Sequence, residues 1–181
     1  MTRPGTLGAL ALSSLLALTA CAATPASGPS ASPPSTVTGP VLPSLNLQPS
    51  GKTVAEVLAA LPQKLGGRPR ADNGTNPRQT TVAAKPATVH AYVYKGREAD
   101  DYVAVTLAAT EEAAVLFPVG VARLRDPQAV AGAMCGVGSV DGRQMNVCYA
   151  LLNDGVLTVA EPAGKMASLG AFTDRLAHAS P

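Results

Sequence analysis

His90, Tyr92 and Tyr94 alternate along one short segment, and Glu98, Asp100 and Asp101 follow closely behind it. Alternate residues of a strand project to one face. The imidazole and the two phenols therefore share a surface that could line a pocket or dock a partner, and His90, Tyr92 and Tyr94 form the candidate binding face. A carboxylate from Asp100 or Asp101 brought to His90 would make an acid–base pair of the kind a hydrolase needs, and clustered carboxylates also take Ca²⁺. The plainer reading of each group is commoner: rings half-buried on a sheet, and turn acids simply solvated. His178 lies in the C-terminal tail, where it reads as frayed.

Other motifs are weaker. Ser50-Gly51-Lys52-Thr53 has the ending of a phosphate-binding loop, but Asn46 stands where its first glycine would fall and no strand pattern precedes it. Lys52 reads as a lysine beside a helix cap. No Gly-x-Ser-x-Gly elbow occurs, no His, Cys and carboxylate spacing suggests a metal site, and no cofactor motif is present. Asn73-Gly74-Thr75 reads as a loop. No catalytic residue is assigned from motifs, and the expectation is a protein without enzymatic activity.

The elements that hold these residues follow from periodicity. Thr53 and Glu56 have capping-box spacing, and Val57, Leu58, Leu61 and Leu65 continue at helical intervals, so a helix is expected from about 53 to 65, weakened at its end by Pro62 and stopped at Gly66-Gly67. Residues 88–95 and 102–108 alternate as adjacent strands around the turn at 96–101. Thr110, Glu111 and Glu112 suit a helix start, which Pro118 and Gly120 should limit to about two turns. Residues 118–130 receive no element. Asn153-Asp154-Gly155 is a turn into a strand at 156–160, and Met166, Leu169, Phe172 and Leu176 mark an amphipathic C-terminal helix. Lys64, Arg68, Arg70 and Arg78 make a locally basic stretch. It could touch anionic lipid or wall polymer, but a solvated loop is the simpler reading.

The chain's beginning has a different character. Arg3 precedes a short apolar run rich in Leu and Ala that ends at Leu18-Thr19-Ala20-Cys21. A membrane-spanning helix needs about 20 apolar residues, and this run is shorter and interrupted by Ser13 and Ser14. It reads as a signal peptide. With its apolar, small, small, Cys ending it resembles the lipobox of bacterial lipoproteins, which implies that Cys21 is acylated through sulfur (diacylglycerol and palmitate-type chains) and becomes the mature N-terminus. Two acyl chains give stable attachment where one is reversible. From Ala22 to Ser50 there is no charged residue, and Pro, Ser, Ala, Thr and Gly dominate. Such a segment cannot bury a core, and fully extended it would reach roughly 90 Å. Leu42, Leu45 and Leu47 break the pattern near its end. The expected organisation is a signal peptide at 1–20, a lipidated cysteine and linker at 21–50, and a single domain at 51–181.

Acylation of Cys21 leaves Cys135 and Cys148 as a pair in an oxidising compartment, where a disulfide is expected. Asp141-Gly142 is a two-residue hairpin signal because a type I′ turn needs positive φ at both positions. Counting outward from it, Val140 faces Arg143 and Cys135 lands opposite Cys148, in the closely spaced kind of antiparallel pair. The pair is expected on the more polar face, with Ser139, Gln144 and Asn146, while Met145, Val147, Tyr149 and Leu151 share the other.

The fold class that emerges is α+β: an antiparallel meander packed on one face against N-terminal and C-terminal helices, with one cross-strand disulfide. The Ala-, Gly- and Arg-rich composition and the Cys-to-Cys hairpin followed by an Asn-Asp-Gly turn are similar to exported actinobacterial proteins of uncharacterised activity, a resemblance that implies no reaction. Removing Arg3 with the signal peptide lowers the 14 basic residues to 13 against 12 acidic ones. Near-neutral charge argues against a nucleic-acid partner. The expected location is the extracytoplasmic face of the cell membrane, with the lipid anchor as the membrane contact and a protein or cell-wall component as partner. The function expected is a non-enzymatic binding or accessory module of the cell envelope, the alternative being an envelope hydrolase whose site joins distant residues such as His90 with Asp100 or Asp101.

Overall fold

A computed structural model describes residues 48–71, 77–82, 84–162 and 164–179. The signal peptide, Cys21, most of the linker, Leu42, Leu45, Leu47 and the Asn73-Gly74-Thr75 loop lie outside these residues. In chain order the elements are α1 (Val54–Ala60), β1 (Lys64–Leu65), β2 (Arg68–Ala71), β3 (Arg78–Val82), β4 (Lys85–Lys95), β5 (Tyr102–Ala109), α2 (Ala113–Ala122), β6 (Arg125–Val130), β7 (Ala133–Val140), β8 (Arg143–Leu151), β9 (Gly155–Glu161) and α3 (Met166–Ala177). The nine strands make one antiparallel sheet in the order β1-β2-β4-β5-β9-β8-β7-β6, with β3 also pairing β4. The α+β class is thus observed: β6 to β9 are a meander, and β5 lies along its last strand.

The hairpin register is the one counted from its turn. Asp141 and Gly142 both have positive φ, 49° and 77°, Val140 faces Arg143 and Cys135 faces Cys148. The two cysteines form a disulfide with their Cα atoms 4.1 Å apart. Its face, however, is not the polar one. Cys135 and Cys148 are fully buried in the main core beneath α3, with Ala133, Ala150, Val159, Leu169 and Leu176. Ser139, Gln144 and Asn146 share that face only towards the turn, where α3 no longer covers it.

The opposite face is also covered, so the sheet is not packed on one side alone. α2 lays Ala113, Phe117 and Val121 on Leu151 and Val156, with Met134 and Tyr149 at the margin. It runs through Pro118 and Gly120 to Ala122, longer than proline and glycine suggested. Pro118 has no N–H for the Ala114 carbonyl. Because Ala114 is exposed, water can serve that carbonyl instead. After α2, Leu124 packs with Met145, Val147 and Ala160, and a bulge between Arg125 and Gln128 starts β6. Gly136 makes this route possible: a Cβ there would lie 2.8 Å from the Arg125 carbonyl oxygen and 2.9 Å from Leu124 Cβ.

α1 is shorter than its apolar pattern. The capping box is present, Thr53 and Glu56 each bonding the other's backbone N–H, and hydrogen bonding to Thr53 holds the Glu56 carboxyl below its ordinary range. The helix stops at Ala60, because the residue before Pro62 is disfavoured in helical conformation and Leu61 is extended. Lys64 and Leu65, expected in helix, instead pair with β2. Lys64, Arg68, Arg70 and Arg78 therefore stand on strands β1, β2 and β3 and not in a loop.

Candidate functional site

The site predicted at His90, Tyr92 and Tyr94 is built by β4 and its neighbours. The β2–β4 register places Arg70 opposite Tyr94, and the β4–β5 register places Tyr92 opposite Val105 and Tyr94 opposite Val103. Val103 and Val105 are core residues, so the three ring residues project towards the face carrying α1 and α3. Tyr94 is fully buried and its hydroxyl donates to the Pro62 carbonyl oxygen at 2.8 Å. Burial pushes its phenol pKa up, which keeps that hydroxyl a donor. Tyr94 thus anchors the segment after α1 and is unavailable to a partner. Tyr94→Phe should cost about 1 kcal/mol in denaturant unfolding, the worth of one buried neutral hydrogen bond.

What remains accessible is a ledge. His90 and Tyr92 are partly buried, and the Arg70 guanidinium carbon sits 5.0 Å from the centroid of the Tyr92 ring, a cation–π distance. Arg70 was visible only as part of a basic stretch, because its strand pairing is not a local property. An arginine held over a tyrosine beside a histidine offers a planar apolar surface with hydrogen-bond donors at its edge, suited to an acidic or hydroxyl-rich group.

The acids do not join His90. Tyr102, the residue after Asp101, pairs with Lys95, whereas His90 pairs with Leu107. Five strand residues separate the two levels, about 17 Å at the usual rise. Asp101 instead accepts from the Arg68 side chain, and Arg68 also reaches Glu161 Oε1 at 3.5 Å. Asp100 pairs with Arg143 at 3.7 Å on the surface, both side chains largely exposed, and Glu98 is exposed. Glu161, distant in sequence, was missed as a member of this cluster.

The Glu161 carboxyl is raised above its ordinary value by burial, against the attraction of Arg68 and with a further push from Asp101. A carboxyl whose folded pKa exceeds its unfolded one favours folding less as pH rises through the carboxylate range. Glu161→Gln should accordingly raise the melting temperature at pH 7, with the gain vanishing by about pH 3, where the acid is neutral in both states. A pH series of thermal melts reads this directly.

A cavity of about 340 Å³ opens at the other end of the sheet, lined by Ser50, Phe117, Met134, Leu151, Ala177 and His178 among others. His178 is not in a frayed tail: it caps α3, its Nδ1 lying 2.9 Å from the Asp174 carbonyl oxygen and 3.3 Å from the Asp174 carboxylate. Among the described residues no group of three His, Cys, Asp or Glu side chains has an arrangement that could hold a metal ion.

Compared with protein families, curated proteins and solved structures, the chain finds no match.

Proposed function

We propose that the chain is a lipid-anchored, non-enzymatic binding module of the cell envelope, tethered through Cys21 on the extracytoplasmic face and engaging a protein or cell-wall partner on the ledge of His90, Tyr92 and Arg70. The observation that carries this reading is the core disulfide. A cross-strand pair buried beneath α3 suits a protein that matures in an oxidising compartment. It uses two of the three cysteines and leaves Cys21, at the end of the lipobox-like run, for acylation. No helix among the described residues is long and apolar enough to cross a membrane.

The pair given as an example for the hydrolase alternative does not form, since Asp101 is held by Arg68 far along the sheet from His90. The ledge reading is tested by a photo-crosslinking residue at position 92 in intact cells. A defined adduct that disappears with Arg70→Ala supports it, and recovery of no adduct counts against it. Cys21→Ser should also move the protein from the membrane to the soluble fraction.

A further inference from the structure

We propose that α2 is a self-association surface, on which a second copy of this chain docks through its own α2 in antiparallel orientation about a two-fold axis. This surface lies on the face opposite the ledge, so the inference is independent of the partner proposed there.

The composition of α2 and its burial do not match. From Ala113 to Ala122 the helix reads AAVLFPVGVA, with no charged or hydrogen-bonding side chain anywhere around it. A helix apolar on all sides is one expected to be covered on all sides. Here Ala113, Phe117 and Val121 are buried on the sheet, with Leu116 and Gly120 beside them. Val115 and Val119 are exposed, at 46% and 44%, and they are the large hydrophobic side chains left open among the described residues. Four residues apart, they stack on the helix side turned away from the sheet.

The flanking residues say what would cover them. Glu111 lies four residues before Val115, in the turn that enters α2, and Arg123 lies four after Val119, at the C-cap; both are exposed. In sequence order these exposed positions are thus acidic, apolar, apolar and basic, the two charges flanking the helix at its ends. Laid antiparallel on itself with the axis at the level of Phe117, it sets Val115 of one copy against Val119 of the other and Glu111 against Arg123, each contact occurring twice. Isologous interfaces need this self-complementarity. A bilayer surface would not satisfy Glu111, and a basic partner would meet Arg123. Neither Glu111 nor Arg123 forms a salt bridge among the described residues, whereas Arg68, Arg125 and Arg143 do. One helix pair buries less than a standard interface, so the dimer should be weak in solution and favoured where copies share a surface.

The test uses the full chain in intact cells, with two differently tagged copies carrying Val115→Cys and Val119→Cys and a short bis-maleimide crosslinker. Crosslinking between the two tags is expected, in preference to Val115→Cys with itself. Glu111→Arg and Arg123→Glu should each reduce it about tenfold, because each replaces two attractions with repulsions, and the double reversal should restore it. Retention of the Cys135–Cys148 disulfide reports that the variants fold. Absence of the crosslink, indifference to the single reversals, or shielding of Val115→Cys from a water-soluble maleimide without a crosslink would each overturn the proposal, the last by pointing to lipid as the occupant.

Discussion

Replacing Cys135 and Cys148 together by Ala is expected to destabilise the domain by about 3 kcal/mol, the chain-entropy value for a loop of this length. The two cysteines are 13 residues apart in sequence, so the bond closes a short loop. Their burial beneath α3 adds loss of packing to loss of the crosslink. In a domain of about 130 residues the midpoint of thermal unfolding should fall on the order of 10 °C. Reduction, which removes the crosslink but leaves both sulfur atoms in the core, should give a smaller shift than the double replacement. A small shift on double replacement would mean that the hairpin is held by its turn and its neighbours alone.

The second large effect is expected at Gly155, where Gly155→Val should cost at least about 3 kcal/mol, at the upper end of overpacking effects. Gly155 begins β9 opposite Ala109. A Cβ on it would fall 2.3 Å from the Ala108 carbonyl oxygen and 2.4 Å from Val54 Cγ2, so β5 or α1 would have to move. The neighbouring bonds raise the cost. Asp154 Oδ1 accepts from the Val54 N–H at 2.7 Å, and Asn153 N–H donates to the Lys52 carbonyl at 2.8 Å. The Asn-Asp-Gly turn thus docks the start of α1 as well as reversing the chain. Equilibrium unfolding of the purified variant measures the loss, and retention of wild-type stability would show that this junction yields easily.

How much of this was legible depends on how local each signal is. The 135–148 hairpin, its register and its disulfide follow from two turn residues with positive φ and from counting. β4 and β5 follow from alternation, the start of α1 from its capping box, and α3 from its apolar spacing. What failed was decided by distant parts of the chain. Ser139, Gln144 and Asn146 made one face look polar, yet α3 covers the cysteine end of that face. Tyr94 looked like a surface ring until Pro62, brought back over β4, took its hydroxyl. Pro118 and Gly120 argued for a stop, but burial of Phe117 and Val121 on the sheet outweighs one missing hydrogen bond at an exposed carbonyl. Lys64 to Arg70 carried no strand pattern, because β1 and β2 are short and gain their order from pairing with one another and with β4. The Arg68, Asp101 and Glu161 cluster joins β2, β9 and the turn before β5 and had no sequence signature.

Intact mass spectrometry of the protein extracted from the membranes of bacterial cells producing the full chain would show whether the domain is both closed by its disulfide and tethered outside the cytoplasm by acylated Cys21. The expected species begins at Cys21, carries the mass of a diacylglycerol group there, and lacks two hydrogens at Cys135 and Cys148. A chain that still begins at Met1, or a mature chain with an unmodified Cys21 and free thiols at Cys135 and Cys148, would contradict that expectation.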